Sequence, residues 1–254
     1  MTDYQANAVL TSREDLSAEL AIFRVRPQSG LIPFFLPGQY AELAIPNAER
    51  KIERRSYSIA STPANGELEF YIVLVEDGYL TNQLWALRPG DTLWLGPKVK
   101  GKFTLEQVPA GADLVMVATG TGLAPFVSML RAHRTNPSWH RVTLIHGARY
   151  ARDLAYRREL EEWEASHPWF RYLPTLTRDA ENTSWSGARG RVQQLFTSGA
   201  VESSLVRPFS KESAHFLLCG NPQMIDGVQA LLEARGFELH KKKHPGNIHV
   251  ERYW

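Results

Sequence analysis

The stretch "DLVMVATGTGLAPFVSMLRAH" (Asp113–His133) decides how this chain is read. It begins with an apolar run of strand length, passes through a glycine loop, "ATGTGLAPF" (Ala118–Phe126), and opens into a helical pattern. A loop of this kind brings backbone N–H groups close to a pyrophosphate at the positive end of a helix. Gly120 and Gly122 allow the close approach. Pro125 stands where the usual dinucleotide fingerprint has its third glycine, and proline is tolerated in a helix's first turn. Taken alone, the loop fits equally well a tight strand-to-helix turn in any α/β protein.

Towards the C-terminus the alternation of strand and helix continues. The segment "RVTLIHGAR" (Arg141–Arg149) reads as a strand, "LAYRRELEEWEAS" (Leu154–Ser166) as a helix and "FRYLPTLTR" (Phe170–Arg178) as a strand. A helical "RVQQLFTSG" (Arg191–Gly199) follows, then "AHFLLCG" (Ala214–Gly220), "PQMIDGVQALLEARG" (Pro222–Gly236) and the closing "GNIHVERYW" (Gly246–Trp254). Alternating strands and helices predict a parallel, doubly wound sheet. Towards the N-terminus the rhythm differs. Short runs such as "QYAELAIP", "RRSYSIAS", "LEFYIVLVEDG" and "DTLWLG" are broken by the turn signals "PANGE" and "RPGD", which predicts an antiparallel β-barrel or sandwich. The boundary falls in "QVPAGADL" (Gln107–Leu114), giving a barrel over 1–108 and an α/β domain over 109–254. A chain of 254 residues suits two domains at roughly 100–200 residues each.

The formal charge of +2 is too small to imply a nucleic-acid partner. Cys219 is the only cysteine, which excludes an intramolecular disulfide framework and a cysteine-ligated iron–sulfur cluster within this chain. The opening "MTDYQANAVLTSRED" has early acids and no apolar core segment, and no apolar run approaches the roughly 20 residues of a membrane span. A cytoplasmic protein without stable membrane insertion is expected, and no metal site.

The ends of the α/β strands carry chemistry. Where NAD-binding folds commonly place an acid, "HGARYARD" (His146–Asp153) offers Arg149 and Arg152. Arg178 follows in "LTRDA", and Arg189 and Arg191 in "GARGR". Guanidinium forks pair with phosphate oxygens, so their recurrence at one sheet edge favours a 2′-phosphate and hence NADP over NAD. Singly, each arginine is more often a solvated surface residue. Cys219, in "FLLCGNPQM", sits where ligands bind in open α/β sheets, yet no neighbouring base suits it to nucleophilic attack. In the barrel, strand alternation puts Arg55 and Tyr57 on one face and Ser56 and Ser58 on the other. "GYLTNQL" (Gly78–Leu84) reads either as a short helix whose first turn and Thr81 meet a phosphate, or as a plain hairpin loop.

The motifs "FLPGQY", "RSYSIAS", "GYLT", "GTGLAP", "CGNPQM" and terminal "HVERYW", in this order, resemble the ferredoxin/flavodoxin–NADP reductase family over nearly the whole chain. The ending "KKKHPGNIHVERYW", with Trp254 after Tyr253, is similar to the bacterial branch. The resemblance implies an N-terminal antiparallel FAD-binding β-barrel, a parallel-sheet NADP-binding α/β domain, and hydride transfer between non-covalently bound FAD and NADP(H). It implies that Arg55 binds the flavin pyrophosphate, Tyr57 covers one flavin face, Ser58 bonds near the reactive nitrogen and Thr81 holds FAD phosphate. Gly120, Thr121 and Gly122 would receive the NADP pyrophosphate, and Arg149, Arg178 and Arg191 would read its 2′-phosphate. Cys219 would line the nicotinamide site and Glu251 its polar side. Tyr253 would cover the other flavin face, and Trp254 would extend towards the FAD adenosine. The implied partner is ferredoxin or flavodoxin, with the protein a monomer. Basic clusters at Arg50–Arg55, Lys98–Lys102 and Lys241–Lys243 are candidate docking charges, each also readable as a solvated loop. A free-flavin or haem-protein reductase on the same fold, and a non-catalytic nucleotide-binding subunit, are the competing readings.

Overall fold

In the computed structural model, residues 5–45, 53–134, 139–178, 181–203 and 209–252 are described. Contacts divide the chain into two units, Met1–Leu105 with Ala124–Arg134, and Glu106–Leu123 with Thr135–Trp254.

The short alternating runs of the first unit form six strands: β1 (Ala8–Asp15), β2 (Leu20–Pro27), β3 (Tyr40–Ala44), β4 (Arg55–Ser58), β5 (Leu68–Val73) and β6 (Thr92–Leu95). Their order is β4-β3-β6-β1-β2-β5, with every neighbouring pair antiparallel. The two edge strands meet just past β4, where Ile59 bridges Phe70 and the Ala60 N–H donates to the Glu69 carbonyl at 2.7 Å. That contact closes the sheet into a barrel and removes its open edges. Inside lie Leu10, Phe23, Leu43, Phe70 and Leu93, all essentially inaccessible to solvent.

Helix α1 (Tyr79–Ala86) buries Leu80 and Leu84 on this core. Helix α2 (Ala124–Ala132) belongs to the same unit, with Phe126 tilted on Phe103 at 5.7 Å. The Ser128 hydroxyl donates to the Ser61 carbonyl at 2.6 Å. Arg131 and Arg24 share the buried carboxylate of Glu69, each with an N···O distance of 2.7 Å.

The second unit is a parallel sheet of β7 (Asp113–Thr119), β8 (Arg141–Ala148), β9 (Phe170–Leu176), β10 (Ala188–Arg189), β11 (Ala214–Gly220) and β12 (Ile248–Arg252). The order is β10-β9-β8-β7-β11-β12. Helices α3 (Arg157–Ser166), α4 (Val192–Thr197), α5 (Ala200–Ser203) and α6 (Pro222–Glu233) lie in its connections. β11 is buried along its whole length, as expected of a strand covered on both faces. The strands stay parallel, but the direction in which successive strands are added reverses at β7, which lies between β8 and β11. The carboxyl end of β7 is therefore the topological switch point at which open α/β sheets bind ligands.

Candidate active site

The glycine loop lies at that switch point. Gly120–Leu123 form a 3₁₀ turn that runs directly into α2. Gly120 adopts φ +52° with open space where a Cβ would stand. Gly122 is required for a different reason: a Cβ there would come within 2.6 Å of the Cys219 carbonyl carbon and 2.7 Å of the Gly220 Cα. Gly220, at φ +131°, has no room for a Cβ against Thr119. The Thr119 hydroxyl accepts from the Asn221 N–H at 2.8 Å, locking the β7 and β11 ends together. Asn221 then caps α6, accepting from Gln223 N at 2.8 Å with Pro222 in the first turn. Three glycines thus leave bare backbone at the ends of β7 and β11, a cradle that fits a pyrophosphate.

Cys219 and Glu251 are brought together. In the sheet register Ala118 on β7 pairs with Cys219 on β11, and Cys219 with Glu251 on β12, so the three lie side by side at the carboxyl edge. Cys219 is fully buried and Glu251 is half-buried. The next residue, Arg252, is tied to Asp226 on α6 at 2.6 Å. Tyr253 and Trp254, the aromatic pair expected over FAD, lie outside the described residues.

The arginines sort themselves. Arg149 directly follows β8, Arg178 lies two residues past the end of β9, and both are exposed; their backbones are joined by an Arg178 N–H to Arg149 carbonyl bond of 3.2 Å. Arg191, also exposed, precedes α4, and its N–H donates to the Gln194 side chain at 2.7 Å. Arg189 is used differently: its guanidinium donates to the Asn182 and Trp185 carbonyls at 3.0 and 2.6 Å. A cavity of about 260 Å³ opens beside this group, lined among others by Tyr150, Arg152, Arg157, Asn182 and Trp185. The Arg152 guanidinium lies 4.2 Å from the Tyr150 ring centroid, and that of Arg157 lies 4.9 Å from the Trp185 ring. A cationic, aromatic-walled recess beside exposed arginines fits a phosphorylated nucleoside.

In the first unit, Arg55, Tyr57 and Ser58 all lie on β4. Tyr57 is half-buried and packs against the barrel core. Burial pushes its phenol up to about 12, with the Arg55 charge opposing and Glu53 adding to the shift. It is a neutral aromatic surface across the physiological range. Ser58 is buried, whereas Arg55 is exposed and bonds to the Glu53 carboxylate, which a phosphate would have to displace. The "GYLT" segment is the start of α1 rather than a hairpin. Thr81 is buried, its hydroxyl accepting from Val75 N at 3.2 Å and donating within the same turn. Gly78 is dictated by space, since a Cβ would lie 2.5 Å from that hydroxyl.

Two residues of the second unit escaped the sequence reading. His146 on β8 is fully buried, pairs with Ala118 in the sheet and contacts the Tyr172 hydroxyl through Nδ1 at 3.2 Å. Burial pushes its imidazole down to about 4, with the Gly120 backbone opposing. It is therefore a neutral group next to the glycine loop. Asn182, buried in the turn after β9, carries no signal in a single sequence beyond its turn propensity. Of the basic clusters, Lys100 and Arg54 both lean on Glu42, at 3.2 and 3.7 Å. Lys241–Lys243 are exposed, and Arg50–Ile52 lie outside the described residues.

A closed antiparallel barrel and a parallel sheet with a glycine cradle at its switch point define a two-nucleotide oxidoreductase architecture. Residues 7–103 match the oxidoreductase FAD-binding domain family, and residues 116–230 the oxidoreductase NAD-binding domain family. A flavodoxin/ferredoxin–NADP reductase of Escherichia coli is 35% identical over 92% of this chain and 93% of its own. Ferredoxin–NADP reductase A of Sorangium cellulosum is 36% identical over 86% of this chain and 80% of its own. The solved ferredoxin NADP+ reductase of Neisseria gonorrhoeae, which holds FAD and NADP, superposes with a TM-score of 0.88 at 28% identity over the full length of both chains. The chain belongs to the ferredoxin/flavodoxin–NADP reductase family.

Proposed function

We propose that this protein is an FAD-dependent reductase that exchanges hydride with NADP(H) and single electrons with ferredoxin or flavodoxin. The observation that carries the NADP half is the exposed pair Arg149 and Arg178 at the ends of adjacent strands, beside the cationic cavity and in the same sheet as the glycine cradle. FAD, when bound, supplies the chemistry that links a two-electron donor to a one-electron acceptor. The chain's own contribution is binding and orientation.

On this reading Arg55 and Thr81 hold the flavin's phosphates, Tyr57 supports one ring face and Ser58 offers a hydroxyl at its edge. Gly120, Thr121 and Gly122 take the coenzyme pyrophosphate on backbone N–H groups. Arg149, Arg178 and Arg191 take the 2′-phosphate, each able to present two donors to it. Cys219 and Glu251 border the nicotinamide, the first as a packing surface and the second as a polar edge. Tyr253 covers the second flavin face and yields to nicotinamide, with Trp254 beyond it. Residues 1–108 would then form the FAD domain and 109–254 the NADP domain of a cytoplasmic monomer. No helix among the described residues is long and apolar enough to cross a membrane.

The test is spectroscopic. The purified protein should be yellow and should bleach anaerobically with NADPH faster than with NADH. A colourless protein that takes up no FAD overturns the reading. Reduction of ferredoxin and flavodoxin, compared with free flavin and haem proteins, then identifies the acceptor. Removing Tyr253 and Trp254 should change coenzyme affinity and turnover.

A further inference from the structure

We infer that Asn182 is the positioning residue for the coenzyme's 2′-phosphate: its side-chain amide sets the spacing of Arg149 and Arg178. The inference rests on the NADP reading of the arginines above. Its starting point is where the sheet ends. The ladder between β8 and β9 closes at the pair Ala148–Leu176, so Arg149 and Arg178 stand beyond it. Past that point two backbone bonds link the strand extensions among the described residues, from Thr177 N to Ala148 O at 3.1 Å and from Arg178 N to Arg149 O at 3.2 Å. Such a fringe has little stiffness of its own.

Asn182 supplies the missing stiffness. Its Nδ2 donates to the Arg149 carbonyl at 3.0 Å and to the Arg178 carbonyl at 2.6 Å. Its Oδ1 accepts from the Ala151 N–H at 3.1 Å. Two carbonyls on one side and an N–H on the other fix which way round the amide lies. The residue is 5% exposed, so these bonds are shielded from competing water. One side chain thus clamps both arginine backbones and the start of the next turn.

Asn182 is itself held. Its N-terminal neighbour Glu181 donates from N–H to the Arg178 carbonyl at 3.2 Å. Its own carbonyl accepts from Trp185 N at 2.9 Å and from the Arg189 guanidinium at 3.0 Å. Arg189 is therefore part of the clamp. A phosphate bound by forks on two strands demands a fixed separation between them, and a displacement of about 1 Å is enough to weaken such paired contacts. Asn182 is neutral and its amide is spent on these backbone groups, so it acts through the two arginines.

The experiment compares wild type with Asn182→Ala and the gentler Asn182→Ser in the FAD-loaded enzyme. For each, kcat and KM are measured with NADPH and NADH, and binding of adenosine 2′,5′-bisphosphate against adenosine 5′-monophosphate is titrated. The expected result is a rise of about tenfold in KM for NADPH and in the bisphosphate Kd, the loss of one charge-assisted contact. The values for NADH and the monophosphate should move less than twofold, and kcat should hold. An unchanged NADPH/NADH ratio overturns the inference. So does an equal loss with both coenzymes, which marks a merely structural role. If Asn182→Ala does not fold, Asn182→Ser decides by the same ratio. A wild type that fails to prefer the bisphosphate overturns the NADP reading itself, a result distinct from a preference that survives in the variants.

Discussion

The protein handles clustered arginines in two opposite ways. In the barrel unit, Arg24 and Arg131 converge on one buried carboxylate, Glu69, whose side chain is only 7% exposed. In the α/β unit, Arg149 and Arg178 stand at adjacent strand ends with their backbones clamped and their side chains exposed. Among the described residues the Arg178 and Arg191 guanidinium groups make no hydrogen bond or ion pair. The first arrangement closes on a carboxylate of the same unit, whereas in the second the exposed Arg178 guanidinium has no partner among the described residues. The number of arginines does not separate the two cases. The position of the carboxylate does.

The largest effect should come from breaking the closed cluster. In Glu69→Ala two partly buried guanidinium groups lose their shared counter-ion; Arg131 retains a bond to the Ala60 carbonyl at 3.2 Å and Arg24 the more exposed Glu14 carboxylate at 3.6 Å. Removing one partner of a buried ion pair costs about 3–5 kcal/mol. Urea unfolding should show that loss, while the NADPH/NADH preference stays as in wild type. A Glu69→Ala protein of normal stability and altered coenzyme preference would erase the distinction between the clusters.

A second prediction uses a buried group outside both arginine clusters. His146 is held neutral by burial, at about 4 against an ordinary 6.5. The unfolded chain takes up the proton first, so the unfolded state binds more protons between these values, and stability falls as pH drops from about 6.5 to about 4. The full displacement corresponds to about 3 kcal/mol. His249, pushed down to about 3 by burial and by its neighbours His240 and His215, acts in the same direction and extends the fall to lower pH. Denaturation midpoints across this range should decline steadily, and His146→Gln should flatten the upper part of the curve.

The architecture was legible because both units obey their periodicities. The largely apolar "AHFLLCG" fell into the strand–helix alternation of a parallel sheet, and the turn-broken runs before Gln107 close on themselves as a barrel. Gly120 and Gly122 were legible as a loop, yet the reason for Gly122, the Cys219 carbonyl beside it, belongs to a partner strand far along the chain. Arg189 and Arg191, two residues apart, looked alike in "GARGR"; only the loop carbonyls that engage Arg189 separate them. Asn182 was invisible because its three partners, at Arg149, Ala151 and Arg178, come together only when β8 and β9 pair. Local pattern reveals elements, whereas the tuning of a site depends on contacts between them.

That separation of Arg189 from its neighbours gives the smallest of the expected effects and the most direct comparison. Arg178→Ala removes a guanidinium with no bond among the described residues, so the thermal midpoint should hold. The Kd for adenosine 2′,5′-bisphosphate should rise about 10- to 150-fold, from losing about 1.5–3 kcal/mol of charged hydrogen bonding. Arg189→Ala should lower the thermal midpoint, because the Trp185 carbonyl loses its guanidinium donor and the Asn182 carbonyl one of its two donors. Its bisphosphate affinity should fall by less than that of Arg178→Ala, the contact being indirect. The two substitutions remove the same side chain from places eleven positions apart in one unit. If both variants lose stability and affinity in equal proportion, the rim arginines form one structural cluster, and the contrast with Glu69 disappears.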